Sequence, residues 1–313
     1  MAGSRGADAP SREAVRGLLA TIAPGSAPLS VGALPASASN HTHVLDARAA
    51  DGAAFRVVVR RYAVFGDYDR GAKARREFAT LQDLHARGMA VPRPLLLDDA
   101  GAILGDPGIV TAYVPGQHVT TPADPVAWAR ALADTLAGIH ALRPADGLAR
   151  VLLDASAEVS WFARVRTVPA FMRAHREGPA VWRTVRDGLR RLAPAPSRLL
   201  HLDFWSGNVL WDDGRIAAVI DWEEAALGDP GIDVAYARMD MVLLGLPDAA
   251  EVFLRAYEEA TGRSVANLGL WQLAAAARPM FAPEGWITGV LAAERFAAFV
   301  ADGRARVARE RRG

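Results

Sequence analysis

A chain of 313 residues with 51% apolar and 23% charged content can bury the core of one large domain or of two modest ones. Its 36 basic and 35 acidic residues nearly cancel, so no global field gathers nucleic acid or an anionic membrane, and small molecules are the expected partners. The absence of cysteine excludes disulfides, thiolate metal sites and cysteine nucleophiles, and fits a reducing compartment.

The N-terminal stretch MAGSRGADAPSREAVRGLLATIAPG lacks the apolar h-region of a signal peptide. No run approaches the ~18 apolar residues of a membrane span, so a cytoplasmic location is expected. From Pro28 to about Tyr62, an apolar segment, the small polar stretch ALPASASNHTHVLDA and the β-branched run FRVVVRRY predict strands of a small antiparallel sheet. GAKARREFATLQDLHARGM predicts a helix, because Phe78, Leu81 and Leu84 or His85 recur at helical spacing between glycines. VPRPLLLDDAGAILGDPGIVTAYVPG reads as two or three short strands joined by a DDAG turn and stopped at Pro115-Gly116. Asp124 before Pro125 caps the next helix, whose Trp128, Leu132, Leu136 and Ile139 mark one face.

The remainder is mostly helical apart from one hairpin, VLW, the turn DDG and RIAAVI, between Asn208 and Asp221. The basic end GRARVARERRG predicts a solvated helix terminus. Strands first and helices after predict an α+β chain in two lobes, residues 1–114 and 115–313.

The hairpin carries the chemistry. Its second strand is apolar from Ile216 to Ile220 and stops on Asp221, a carboxylate that needs a cation or hydrogen-bond donors there. Strand pairing is expected to bring Asn208 toward Asp221, and an amide oxygen with a carboxylate suits Mg²⁺. Asp203, five residues before Asn208, is then within reach to orient a substrate hydroxyl. His201, Asp203, Asn208 and Asp221 form H-x-D-x-x-x-x-N followed by a metal aspartate, the catalytic-loop logic of phosphoryl transfer.

Together with IDWEEAALGDPGIDVA, these residues closely resemble the aminoglycoside phosphotransferase family, which is itself similar to choline kinase and related small-molecule kinases. The resemblance implies a two-lobed protein-kinase-like fold and a nucleotide-dependent transfer, from ATP or GTP with Mg²⁺, of a γ-phosphate to a small-molecule hydroxyl. Its acceptors include aminoglycosides, macrolides, choline, sugars and amino-acid alcohols. It also implies a strand cation paired with a helix carboxylate: Arg60, with Arg61 as the alternative register, and Glu77. Arginine stands where lysine is commonest, keeping the charge with a different geometry.

The loop ALPASASNHTH lacks a glycine-rich fingerprint and offers small side chains at Ser37 and Ser39, where backbone N–H groups could approach phosphates. TAYVPG corresponds to the hinge, which assigns the Ala112 carbonyl and the Val114 N–H to the base, with Leu210 and Ile220 as its apolar floor. His201 is implied as a brace of the loop, and Asp229 and Asp233 as loop-holding caps. Glu223 or Glu224 either tunes the metal or meets a cationic substrate, or opens a solvated helix. Of Trp161, Trp182, Trp271 and Trp286, most are expected in the core and one or two at the acceptor. Two rivals remain open: a nucleotide-binding protein without transfer, and a hydrolase holding a metal with His201, Asp203 and Asp221.

Overall fold

The β-branched run forms the central strand of an antiparallel sheet, paired along its whole length on one side and over Val57–Arg61 on the other. The structure, a computed structural model, describes residues 9–34, 40–64 and 68–310. In chain order the elements are α1 (Arg12–Ile22), β1 (Ala27–Ala33), β2 (Asn40–Arg48), β3 (Ala54–Tyr62), α2 (Arg70–Ala86), β4 (Pro94–Asp98), β5 (Gly108–Ala112), β6 (Gln117–His118), α3 (Pro125–Ala141) and α4 (Asp146–Ala149). There follow β7 (Leu153–Asp154), α5 (Ala155–Arg164), α6 (Ala170–Ala174), α7 (Gly178–Gly188), β8 (Arg198–Leu200), β9 (Val209–Asp212), β10 (Arg215–Val219), β11 (Ala226–Gly228), α8 (Gly231–Leu243), α9 (Pro247–Thr261), α10 (Leu268–Ala275), α11 (Ala277–Phe281) and α12 (Val290–Glu310). The chain divides into two units, Met1–Gly116 with Ala145–Val151 and Ala217–Glu224, and Gln117–Pro144 with Leu152–Ile216 and Ala225–Gly313.

The first unit holds the five-stranded sheet, ordered β1-β2-β3-β5-β4. β2 runs against β3 from Asn40 opposite Tyr62 to Arg48 opposite Ala54, and β3 against β5 from Val57 opposite Ala112 to Arg61 opposite Gly108. Side chains alternate across a strand, and one face carries Leu45, Ala47, Val57, Val59 and Val110 into a core closed by Val15, Leu18 and Leu19 of α1. Ser11 caps α1 by accepting the N–H of Ala14 at 3.1 Å. Each such Leu or Val contributes about 1.5–3 kcal/mol by leaving water, so Leu45→Ala costs about 2–5 kcal/mol. The same alternation turns Val58 and Arg60 to the opposite face. Asp69 starts α2 by accepting the Ala72 N–H at 3.0 Å, and Ala74, Leu81 and Leu84 form its buried stripe together with Glu77.

Three features of this unit differ from expectation. The amphipathic α1 was not anticipated in a stretch weighed only for a leader. Asn40–Arg48, whose first four residues were expected in the loop ALPASASNHTH, is a full strand, because pairing on both sides overrides weak intrinsic preference. Ile103 lies in a turn, not a third strand: the Asp98 carboxylate accepts the N–H groups of Ala102, Ile103 and Leu104 at 2.6–2.8 Å and curls the chain.

In the second unit, Asp124 caps α3 by accepting the Val126 and Ala127 N–H groups at 3.0 Å, and Trp128, Leu132, Leu136 and Ile139 are all buried. α3 packs against α9 and β8, and α8, buried on nearly every side, packs against α9, α10 and α12. β6 pairs antiparallel with β9, and β11 pairs with β7 and β8. Apart from β9, expected as the first strand of the hairpin, these two- and three-residue strands were not anticipated, since such lengths carry no readable alternation. β9 and β10 are joined by Asp213 and Gly214 at φ 45° and 73°, the two left-handed residues a primed hairpin turn requires. The basic C-terminal segment is less solvated than expected: Arg304 pairs with Glu177 at 3.0 Å, and Arg306 with Asp302 at 2.7 Å and Glu251 at 2.9 Å. Among the described residues no helix is long and apolar enough to cross a membrane.

Candidate functional site

In the first unit, β3, α2 and the short turn Trp222–Glu224 converge on a cluster of charges. Arg60 Nη2 donates to Asp221 Oδ1 at 2.5 Å and to Glu223 Oε2 at 3.3 Å, while Nη1 reaches Glu77 Oε1 at 3.5 Å. The register question is thereby answered: Arg60 faces the helix carboxylate, and Arg61 turns to Asp106 at 3.8 Å. Burial opposes the charge on Arg60, but Asp221, Glu77 and Glu223 hold its guanidinium well above its ordinary pKa.

Glu77 also accepts from the Tyr62 hydroxyl and from the Trp222 N–H at 3.3 Å. Burial, then the neighbouring Glu77 charge, pushes the Tyr62 phenol well up. Glu223 is no solvated helix start. It is buried and accepts from Asn40 Nδ2 at 2.7 Å and Lys73 Nζ at 3.2 Å, while its carbonyl accepts from Arg76 Nε at 2.7 Å. Asp221 takes φ 69°, a left-handed turn that Asp tolerates better than most residues, which ends the apolar strand and redirects the chain.

In the second unit, residues 201–208 form a loop fixed from behind by α8. Asp233 Oδ2 accepts the His201 N–H at 2.7 Å and Oδ1 the Leu202 N–H at 2.8 Å; Leu202 has φ 63°. A leucine in that region is strained by roughly 1–3 kcal/mol, and two bonds to a buried carboxylate hold it there. Asp233 also meets His140 Nε2 at 3.2 Å, and His140 Nδ1 meets the Tyr257 hydroxyl at 2.7 Å. His201, fully buried, accepts the Asp203 N–H on Nδ1 at 3.2 Å, which makes it a brace. Asp229 accepts from Trp271 Nε1 at 2.7 Å, Asn267 Nδ2 at 2.9 Å and the Gly231 N–H at 2.9 Å, so both aspartates hold loops as expected. Gly207 has no room for a side chain, because a Cβ would strike the Trp205 ring.

Asn208 Nδ2 donates to the Asp203 carbonyl at 2.9 Å and to Asp203 Oδ2 at 2.8 Å, which turns the amide oxygen away from Asp203. The other carboxylate oxygen, Oδ1, receives Arg278 Nη1 at 2.7 Å, while Nη2 donates to the Leu202 carbonyl at 3.0 Å. Arg278 also lies over the Tyr236 ring, 4.5 Å from its centroid. Burial raises the Asp203 pKa, but the Arg278 charge and hydrogen bonds from Tyr236 and Asn208 outweigh it and hold the carboxyl below its usual range. Trp286 stands 6.3 Å from Trp205 and 5.9 Å from Tyr236. Trp182 and Trp271 are core, and Trp161 is half-exposed. Sequence reading missed Arg278, seventy-five residues from its partner; only the burial of an acid signals that a cation must arrive.

The remaining expected residues divide as follows. Ser37 and Ser39 lie outside the described residues. Ala112 ends β5, giving its N–H to the Arg93 carbonyl at 2.8 Å, and Val114 is partly buried two residues on. Leu210, on β9, and Ile220 are each partly exposed while their strand neighbours Val209, Trp211 and Val219 are buried. The donor set fits Mg²⁺ in kind, an amide oxygen on Asn208 and a carboxylate on Asp221 being hard oxygen ligands. Among the described residues no group of three or more His, Cys, Asp or Glu is arranged around a metal position.

An antiparallel sheet with one helix carboxylate meeting a strand cation, and a braced H-x-D-x-x-x-x-N loop on a helical unit, define the class of kinase-like small-molecule phosphotransferase folds. The chain belongs to the phosphotransferase enzyme family, whose model matches residues 35–268. Viomycin phosphotransferase of Streptomyces vinaceus is 30% identical over 161 residues, 47% of this chain and 55% of that one. The stretches matched to curated relatives span no more than 55% of those relatives' own length. The fold is shared with aminoglycoside phosphotransferase APH(4)-Ia, at TM-score 0.61 and 18% identity over 94% of this chain and 99% of that one. It is shared too with choline kinase LicA of Streptococcus pneumoniae, at TM-score 0.60 and 18% identity over 93% and 98%.

Proposed function

We propose that the protein is a nucleotide-dependent O-phosphotransferase that moves the γ-phosphate of ATP or GTP to a hydroxyl of a small molecule. The observation that carries this reading is the setting of Asp203, its carboxylate fixed on one oxygen by Asn208 and on the other by Arg278. A carboxylate so oriented receives the acceptor's hydroxyl proton as the oxygen attacks phosphorus, and needs no reorganisation at that moment. Asn208 and Asp221 would hold Mg²⁺, and the ion would supply positive charge to the phosphates. Arg60, braced by Glu77, fixes the phosphate side. Ala112 and Val114 are assigned to the base, with Leu210 and Ile220 as its apolar floor, and Ser37 and Ser39, outside the described residues, to the phosphates. The lobes are proposed as residues 1–114 and 115–313, with Ala145–Val151 and Ala217–Glu224 added to the first by the compact unit they belong to.

The side chains around Asp203 bear on the acceptor. Trp205 and Trp286 supply aromatic surface, Trp286 against the buried Tyr236, and the cation Arg278 pairs with the base. That setting favours a hydroxylated acceptor with an apolar body, macrolide-like, over a polycationic aminoglycoside. Transfer of labelled γ-phosphate from ATP and from GTP across aminoglycosides, macrolides, choline, sugars and amino-acid alcohols tests both points. The expected result is incorporation into an apolar hydroxylated acceptor; incorporation into polycations alone overturns the acceptor assignment.

A second reading, nucleotide binding without transfer, is favoured by the 2.5 Å contact through which Arg60 occupies Asp221. Tight nucleotide binding with no incorporation across the whole panel would select it.

A further inference from the structure

The chain contains one lysine. Of its 36 basic residues only Lys73 carries an ammonium, and all the others are arginine. Arginine serves throughout the molecule for buried pairs (Arg238 with Glu251), exposed pairs (Arg304 with Glu177) and ring stacking (Arg186 over Trp182). The two cations differ in what they can do: guanidinium is a rigid fork, ammonium a compact point charge with three donors on a flexible stem. The single position that keeps the ammonium is therefore informative about the task performed there.

Lys73 lies on α2 one turn before Glu77. Its side chain is 14% exposed, which excludes a solvated helix-surface lysine. Among the described residues its one ion-pair partner is Glu223, through Oε1 at 3.2 Å, and the Tyr68 ring centroid is 5.5 Å from Nζ. One contact leaves two ammonium N–H groups for an incoming acceptor. Arg60 is the opposite case. Its Nη atoms are committed to Glu77, Asp221 and Glu223, and withdrawing it would leave those buried carboxylates uncompensated. Glu223 keeps Asn40 and Arg60 on Oε2 when the ammonium leaves Oε1. The cluster can therefore release Lys73 without stranding a charge.

We infer that Lys73 is a phosphate-binding residue, its ammonium passing from Glu223 to the phosphate chain of a nucleoside triphosphate while Arg60 stays as the anchor of the carboxylates. The role rests on the phosphotransferase reading above. It assigns the mobile cation to the helix, where the resemblance had assigned phosphate positioning to the strand cation and its carboxylate partner.

The single lysine makes the test unusually clean. Acetylation by an N-hydroxysuccinimide ester can mark only Lys73 and the chain's terminal amine, which serves as the internal control. With MgATP bound, mass spectrometry is expected to find Lys73 acetylation slowed about tenfold or more, the terminal amine being unaffected. Lys73→Gln weakens ATP binding by roughly 10- to 100-fold in calorimetry, the value of a hydrogen bond to a charged group, while its melting temperature stays near the wild-type value. Wild-type protein that binds MgATP without protecting Lys73, or a folded Lys73→Gln variant that binds ATP as tightly as wild type, overturns the assignment and leaves the phosphotransferase reading standing. Wild-type protein that binds neither ATP nor GTP overturns both.

Discussion

Asp203 and Arg278 form a pair whose two members do different work. The carboxylate is the proposed base, and the guanidinium keeps it ionised against its own burial. Because the folded pKa is depressed below the ordinary 3.8, ionised Asp203 stabilises the fold above that pH, and the contribution is lost as pH falls through the folded value. Arg278→Gln removes the largest stabilising influence and leaves burial to dominate. The acidic limb of kcat therefore moves to higher pH in the variant, which a pH-rate profile reads directly; an unmoved limb would separate Arg278 from the base. Arg60 works by a different balance. Arg60→Ala leaves Glu77, Asp221 and Glu223 without their shared cation and is expected to cost about 3–5 kcal/mol, read as a lowered denaturation midpoint. Of these contacts, Arg60 with Glu77 was legible from strand alternation and helix stripe. Arg60 with Asp221 was not, since no local period links residues 161 positions apart.

At the scale of elements, the loop 201–208 owes its shape to α8. Asp233→Ala frees the His201 and Leu202 N–H groups inside the protein, each costing about 1–3 kcal/mol, and releases Leu202 from its left-handed conformation. The variant is expected to lose on the order of 3 kcal/mol in urea denaturation and to lose turnover with it. Full turnover in a destabilised variant would show that the loop keeps its shape unaided. The hairpin turn and the cap at Asp124 were readable in advance, because Asp213-Gly214 and Asp-Pro act locally; the Asp69 cap of α2, where only glycine boundaries were expected, was not. β2 was not, because its strand character comes from partners on both sides, and neither was the turn at Ile103, which a single carboxylate four or more residues away imposes.

For the whole molecule, family and fold were legible from four residues and the hairpin between them, because the family resemblance rests on that spacing. The surroundings of Asp203 were not, since Arg278 of α11, Tyr236 of α8 and Trp286 between α11 and α12 gather with no spacing of their own. If Mg²⁺ bridges protein and nucleotide, ATP with magnesium raises the melting temperature more than ATP with a chelator, and Asp221→Asn abolishes the difference. An equal rise with and without magnesium would remove the metal from the proposal. The proposed phosphotransfer itself is tested most directly by kcat for labelled phosphate transfer to an accepted hydroxyl, wild type against Asp203→Ala. A fall of about 10²- to 10⁴-fold with nucleotide affinity nearly unchanged is the predicted result. A variant that turns over as fast as wild type contradicts it.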